Sequence, residues 1–147
     1  MNEALLELKK YEILCAEGEL ELDMFYLKEG ELLVFIISDK GDVTPLSHIP
    51  AGNFIGEQAF FDRLPRSANV ITTTDCKLIK IPEIDIEKNL PKWFLKFCAQ
   101  LSEQIRTFDA VIRQKGIKKT KAATEAALKQ DEQARILSAL KSYKENN

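Results

Sequence analysis

The sequence has few of the residues that most often carry metal or redox chemistry. Its 147 residues include one histidine, His48, and three cysteines, Cys15, Cys76 and Cys98, which lie far apart in apolar runs. Because no Cys-x-x-Cys pair occurs, we expect no metal site and no cofactor, and buried thiols in a reducing compartment. No apolar stretch is long enough to cross a bilayer, and the charged N-terminus lacks the apolar core of a secretory signal. These absences predict a cytoplasmic protein without a membrane partner.

An excess of positive charge is also missing. The net charge is −2, from 21 basic and 23 acidic side chains, so the chain as a whole does not attract nucleic acid. One basic cluster consists of Arg113, Lys115, Lys118, Lys119 and Lys121. It could face an anionic partner, or it could be a solvated helix end whose cations suit the C-terminal dipole. No common nucleophile motif occurs either, and we expect no enzyme.

Residues 53–70 contain the most informative arrangement of polar side chains. Gly56 allows the backbone to approach a ligand closely, because it has no Cβ. Glu57 follows, and an ionised carboxylate, which only accepts hydrogen bonds, suits the donating hydroxyl of a sugar. Nine residues later, Arg66 offers a planar fork of donors that fits two phosphate oxygens, and Ser67 adds a hydroxyl. The order of these groups predicts a site for a phosphorylated ribose.

The same stretch resembles the phosphate-binding cassette of the cyclic nucleotide-binding domain family. That cassette reads roughly Phe-Gly-Glu-Leu-Ala-Leu, a short spacer, and then Pro-Arg-Ser/Thr/Ala-Ala. The matching residues are Ile55-Gly56-Glu57-Gln58-Ala59-Phe60 and Pro65-Arg66-Ser67-Ala68. Together with a Gly-Glu and a Tyr-Leu-x-x-Gly pattern ahead of it, the resemblance extends over roughly residues 9–115.

The resemblance implies a role for each residue of the cassette. Glu57 would accept a hydrogen bond from the ribose 2′-hydroxyl, and Arg66 would pair with the cyclic phosphate. The groups that would assist Arg66 are Ser67 and the backbone at Gly56, Gln58 and Ala68. The implied ligand is a cyclic mononucleotide, cAMP or cGMP. Gln58 departs from the family, which usually has an inward-packing aliphatic residue there that links the cassette to the helix that moves on binding.

Short apolar runs separated by glycine turns predict antiparallel β structure. The predicted strands are residues 12–15, 24–28, 32–38, 43–49, 68–73 and 77–81. Glu29-Gly30 is expected to join the second and third of these as a hairpin. The resemblance implies an α+β, mainly β fold, in which an antiparallel β-roll or jelly roll is flanked by a short N-terminal helix, a cassette helix and a long C-terminal helix.

A long helix is predicted over about residues 91–115, after Pro91 and before Gly116. Its apolar residues recur in steps of four and three, as in a heptad seam: Phe94, Cys98, Leu101, Ile105, Phe108 and Ile112. The sequence Lys-Phe-Cys-Ala-Gln-Leu at residues 96–101 resembles Arg-Leu-Ser-Ala-Gln-Met in the dimer helix of bacterial catabolite activators in this family. We therefore expect a homodimer through this seam.

The same register implies base contacts from this helix. Phe108 and Asp109 stand where those activators have residues that reach the base. Asp109 could accept a hydrogen bond from an exocyclic amine of adenine or guanine. Phe108 could stack on the base or fill the dimer seam, and the seam is favoured because Phe108 lies on the heptad stripe.

We divide the chain into a nucleotide-binding domain with its dimer helix, residues 1–115, and a helical tail, residues 116–147. The tail is predicted to form one alanine-rich helix over about residues 120–143. It is too short for a packed helix-turn-helix, which disfavours a DNA-binding regulator. The sequence predicts a stand-alone cyclic nucleotide sensor that signals to an effector protein through its C-terminal helices. The alternative is an interaction module that keeps the fold and dimerises but no longer binds nucleotide.

Overall fold

A computed structural model describes residues 4–115 and 128–146 of the chain. Within these residues the strands are β1 (Ala4–Leu8), β2 (Ile13–Cys15), β3 (Met24–Glu29), β4 (Glu31–Ile37), β5 (Val43–Pro50), β6 (Phe54–Ile55), β7 (Asn69–Thr72) and β8 (Cys76–Ile81). The helices are α1 (Glu57–Asp62), α2 (Glu83–Asn89), α3 (Lys92–Lys115) and α4 (Gln130–Asn146). The six predicted strands are confirmed to within two residues at each end. The short strand β6 and the helix α2 were not predicted.

The strands form two antiparallel sheets that close into a β-roll. The first sheet has the order β1-β8-β3-β6, and the second has the order β2-β7-β4-β5. Apolar side chains from both sheets, including the fully buried Leu27, Leu32 and Leu78, form the core between them. The predicted α+β fold built on a β-roll is confirmed.

The N-terminal flank is a strand rather than the expected short helix. β1 pairs antiparallel with β8, with Leu6 opposite Leu78 and Leu8 opposite Cys76. Leu6 and Leu8 pack on the core between the sheets, whereas Glu7 between them is exposed. This alternation has the period of two that a half-buried strand requires, which explains why the segment extends the sheet.

The expected hairpin at Glu29-Gly30 is also wrong. β3 and β4 lie in different sheets, so the turn between them carries the chain from one sheet to the other. Gly30 has φ +94°, and a Cβ there would lie 2.5 Å from the carbonyl oxygen of Asp75, so the crossing requires glycine. The hairpin partner of β4 is β5, paired along its whole length from Glu31 opposite Pro50 to Ile37 opposite Val43.

Helix α4, in the described part of the tail, packs against the second sheet. Ile136 and Leu140 of α4 are 2% and 6% exposed, and they join a second apolar cluster with Leu33, Phe35 and Ile71 of the sheet. The division between residues 115 and 116 stays a prediction, and α4 shares an apolar cluster with the second sheet. Residues 116–127, where the predicted tail helix begins, lie outside the described residues.

Helix α1 is part of the cassette, and ion pairs connect this region to α2 and α3. α1 begins directly after Gly56, and α3 packs against it. Arg63, just after α1, forms ion pairs with Glu83 and Glu87 of α2. Asp62 at the end of α1 forms an ion pair with Arg106 of α3. The cassette is thus held between the β-roll and the long helix.

Candidate functional site

Two adjoining cavities meet at the cassette. The smaller, of about 170 Å³, is lined by all six cassette residues named from the sequence: Gly56, Glu57, Gln58, Arg66, Ser67 and Ala68. The larger, of about 630 Å³, is also lined by Gln58, Arg66, Ser67 and Ala68, and it opens toward α3. Its volume lies within the usual range for small-molecule sites. Residues that are ten positions apart in the sequence are therefore brought around one site by the turn through α1.

Arg66 is the most deeply buried charged side chain at these cavities, at 4% exposure. Its Nη2 donates to the carbonyl oxygen of Asp23 at 2.6 Å, and its Nη1 donates to that of Gly56 at 3.2 Å. Its buried Nε has no acceptor among the described residues. A buried guanidinium costs free energy unless its donors are satisfied, so this side chain favours an anionic ligand oxygen beside it.

Gly56 is required by this arrangement for two reasons. Its φ of +89° lies in the left-handed region, where a side chain is strained. A Cβ at this position would also lie 2.1 Å from Nη1 of Arg66 and 3.0 Å from the carbonyl oxygen of Asp23. The glycine therefore allows the arginine to pass under the start of α1.

The other side chains of the cassette differ in whether they have hydrogen-bond partners among the described residues. Glu57 is exposed in the first turn of α1 and has no hydrogen-bond or ion-pair partner among the described residues, so its carboxylate is open to a donor. The hydroxyl of Ser67 donates to Oε1 of Gln58 at 3.1 Å. Gln58 is half-buried and lines both cavities. The polar residue at this position thus bonds to the other end of the cassette, where the family usually packs an aliphatic side chain.

The α3 wall of the larger cavity is formed by Arg106 and Ala110. These two residues and the buried Ser102 are spaced by four, so they lie on one face of the helix. Phe108 is 68% exposed and does not line the described cavities. The side chain of Asp109 lies outside the described residues. The base contacts expected from these last two residues stay predictions.

Two groups that shape the site were not predicted from the sequence. The backbone carbonyl of Asp23 anchors Arg66, and a backbone acceptor has no signal in the residue type. Arg106 donates to Asp62 and also to the carbonyl oxygen of Pro65, at 3.0 Å. The i, i+4 spacing of Arg106 from Ser102, off the apolar seam, could have indicated that this face of α3 meets the cassette.

Cys15 lines the smaller cavity but offers no nucleophile. Burial raises the pKa of its thiol to about 12, partly opposed by Arg66. The thiol is therefore protonated at neutral pH, and the thiolate is the reactive form. Among the described side chains, no group of three or more His, Cys, Asp and Glu residues is placed to hold a metal ion.

The family model described as cyclic nucleotide-binding domain matches residues 5–90, which include the whole cassette. The chain belongs to the cyclic nucleotide-binding domain family. The match also covers seven of the strands described above in full and most of β1, so the family assignment and the β-roll agree.

One relative and several solved structures match parts of the chain that differ in length. The cyclic nucleotide-gated potassium channel of Rhizobium etli is 32% identical over 77 residues, which are 51% of this chain and 19% of the channel. The cAMP-bound EAL enzyme Bd1971 aligns with a TM-score of 0.66 at 20% identity, over 78% of this chain and 31% of the enzyme. Its cGMP-bound form aligns with a TM-score of 0.63. The catabolite activator protein of Thermus thermophilus aligns with a TM-score of 0.62 at 18% identity, over 78% of this chain and 55% of the activator.

The chain spans about a fifth of the length of the channel that it matches. The structural alignments, all at low identity, support the fold. None of the helices in the described part of the chain combines the length and apolar character needed to cross a membrane.

Proposed function

We propose that this protein is a sensor that binds a purine cyclic mononucleotide, cAMP or cGMP, in the cavities between the β-roll and α3. The observation that carries the proposal is the buried Arg66, whose Nε is unpaired among the described residues, at the cavity that Glu57 also lines. A cyclic nucleotide has an anionic phosphate and a ribose 2′-hydroxyl on neighbouring atoms of one ring system. The pairing of a buried cation with an open carboxylate suits that combination.

Different residues of the site would contact different parts of the ligand. Arg66 and Ser67 would hold the phosphate oxygens, and Glu57 would accept from the 2′-hydroxyl. The base would then extend into the larger cavity, toward Arg106 and Ala110 of α3. The EAL enzyme with this fold, solved in cAMP-bound and cGMP-bound forms, supports both purines as candidates. An amine on the base edge, which both purines have and uracil lacks, would suit the carboxylate of Asp109 if the predicted register holds.

The binding proposal is tested by calorimetry of the full chain against cAMP, cGMP and cyclic UMP. Arg66→Ala should weaken purine nucleotide binding at least tenfold, because a hydrogen bond to a charged group contributes about 1.5–3 kcal/mol. Arg135→Ala is the control. It also removes an arginine, but Arg135 lies over the ring of Tyr11 and lines neither of the two cavities. If no cyclic nucleotide binds the wild-type protein or raises its melting temperature, the sensor proposal fails.

The sensor acts as a homodimer through α3 in this proposal. Trp93, Phe97, Leu101, Ile105 and Phe108 are all exposed, in steps of four and three along the helix. A stripe of large apolar side chains on one long helix is typical of a helix-helix interface. The ion pair from Arg106 to Asp62 links α3 to the cassette, so a ligand that shifts the cassette could bias the dimer helix and, through it, an effector protein. The protein itself would have no catalytic role and would act in the cytoplasm.

The second candidate is a dimerisation or interaction module that does not bind nucleotide. It is favoured by the two bonds from Arg66 to carbonyl oxygens of its own chain, since these hold the guanidinium without any ligand. The exposed stripe of α3 suits this role as well as it suits a sensor. The two candidates differ in the titration above: the module should form the same dimer and show no heat on addition of any cyclic nucleotide.

A further inference from the structure

Gln58 lies where the two cavities of the site join, at a position where the family usually has an aliphatic residue. Its side chain is half-buried and lines both cavities, together with Arg66, Ser67 and Ala68. The resemblance to the family implies a role only for its backbone. A half-buried amide costs free energy unless its polar atoms find partners, so the partners of this side chain indicate its role.

One end of the Gln58 amide is bonded within the chain. The hydroxyl of Ser67 donates to Oε1 of Gln58 at 3.1 Å. A hydroxyl has a single proton, so Ser67 cannot donate to Gln58 and to a phosphate oxygen at the same time. The other end of the amide, Nε2, carries two N–H donors and has no acceptor among the described residues. The pair therefore presents the N–H groups of Gln58 to a ligand, rather than the O–H group of Ser67.

Arg66 alone does not supply donors for the whole of a bound phosphate. Its Nη1 and Nη2 are bonded to the carbonyl oxygens of Gly56 and Asp23, so the chain itself already occupies part of the fork. Its buried Nε, which has no acceptor among the described residues, can pair with one phosphate oxygen at a time. The phosphate of a cyclic nucleotide has two oxygens outside the ring, and both accept hydrogen bonds. A second donor beside Arg66 is therefore needed for the other oxygen.

We infer that the Gln58 side chain is a ligand-contacting residue of the phosphate site, in which Nε2 donates to the exocyclic phosphate oxygen that Nε of Arg66 does not hold. Ser67 then acts through Gln58, because its hydroxyl fixes the orientation of the amide. This inference rests on the proposed function and deepens it, since it assigns the two exocyclic oxygens to two different side chains. The hydrogen bond to the ligand takes the place of the apolar packing that is usual at this position.

The direct test replaces each exocyclic oxygen of the ligand by sulfur, which is a weaker hydrogen-bond acceptor. The two phosphorothioate diastereomers of cAMP and of cGMP are titrated into the full chain by calorimetry, beside the unmodified nucleotides. One diastereomer should lose about three- to tenfold in affinity because its sulfur weakens the bond from Gln58. Gln58→Glu keeps an acceptor for Ser67 but has no N–H, so this loss should disappear in that variant. The loss for the other diastereomer, which reports on Arg66, should remain.

Further variants separate the lost donor from the added charge. Gln58→Glu should weaken binding of the unmodified nucleotide at least about tenfold, because the new carboxylate also repels the phosphate. Gln130→Glu is the matched control, since it adds the same charge at an exposed position of α4 that lines neither cavity, and it should have no effect. Gln58→Leu combined with Ser67→Ala removes both donors without adding charge. This double variant should bind about three- to tenfold more weakly and should lose the same sulfur effect.

The possible outcomes distinguish this inference from the proposed function. If the sulfur losses are the same in the wild type and in both variants of Gln58, Nε2 does not contact the phosphate and the inference is overturned, although nucleotide still binds. If Gln130→Glu weakens binding as much as Gln58→Glu does, net charge explains the effect and the contact is rejected. If the wild-type protein binds neither cAMP nor cGMP, the proposed function fails and this inference fails with it.

Discussion

Helix α3 is longer than α4 and has the more regular apolar pattern, but α4 has the more deeply buried side chains. On α3, five large apolar residues remain exposed within the single chain, from Trp93 to Phe108. On α4, Ile136 and Leu140 are almost completely buried against the second sheet. This stripe is shifted from the predicted seam, whose Phe94 and Cys98 are half-buried. An exposed apolar stripe can contact another helix, whereas two buried residues are enough to pack α4 on the sheet.

The difference follows from the shapes that each helix meets. A sheet face such as that formed by Leu33, Phe35 and Ile71 is broad, and a helix can cover it with side chains from two turns. A second helix presents only a narrow ridge, so a helix pair needs contacts repeated along its length. In α3 the face that meets α1 and the cassette carries Ser102 and Arg106, and the exposed apolar stripe lies on another side.

The largest effect is expected from removing a buried contact of α4. Ile136→Ala should lower the free energy of unfolding by about 2–5 kcal/mol, because it leaves a cavity against the sheet. Leu137→Ala is the control, since the adjacent Leu137 is 36% exposed and should cost much less. Urea unfolding followed by circular dichroism measures both. Equal, small losses for the two variants would show that α4 does not stabilise the roll.

The next prediction concerns the exposed stripe of α3. Leu101→Glu should weaken self-association at least about tenfold, because a dimer would bury a charge without a partner. It should leave the melting temperature of the dilute protein almost unchanged, since Leu101 is exposed within one chain. Thr107→Glu adds the same charge at an exposed polar position about 120° around the helix from Leu101, so this control should leave self-association almost unchanged. Sedimentation equilibrium decides, and a wild-type monomer at high concentration would rule out the dimer.

The smallest effect is expected at the link between α3 and the cassette. Asp62→Asn removes the charge that holds Arg106 but keeps an acceptor, so it should cost about 1 kcal/mol of stability. The amides of α3 should exchange faster in this variant. Asp39→Asn, in the exposed turn between β4 and β5, is the control and should change neither. If α3 exchange is the same in both variants, contacts other than this ion pair hold the helix to the cassette.

Much of the site was predictable because its residues are close in sequence. Gly56 and Glu57 lie at the start of the short helix α1 and Arg66 lies just after its end, so the cassette motif already implied that they converge. The N-terminal strand was not predicted, since the resemblance implied a helix there and three alternating residues, Leu6 to Leu8, are a weak strand signal until β8 supplies hydrogen-bond partners. The hairpin at Gly30 failed for a similar reason: a glycine turn shows where the chain bends and does not show which strand it will pair with.

Residue types at short spacing were enough to identify the family, six of the eight described strands and the position of the cassette. Which surfaces those elements share became clear only in the folded structure. It placed Ile136 and Leu140 on the second sheet, anchored Arg66 on the carbonyl oxygen of Asp23, and turned Arg106 rather than Phe108 toward the cavity. These outcomes depend on contacts between residues far apart in the chain and on backbone groups that every residue has, and neither leaves a pattern in the sequence.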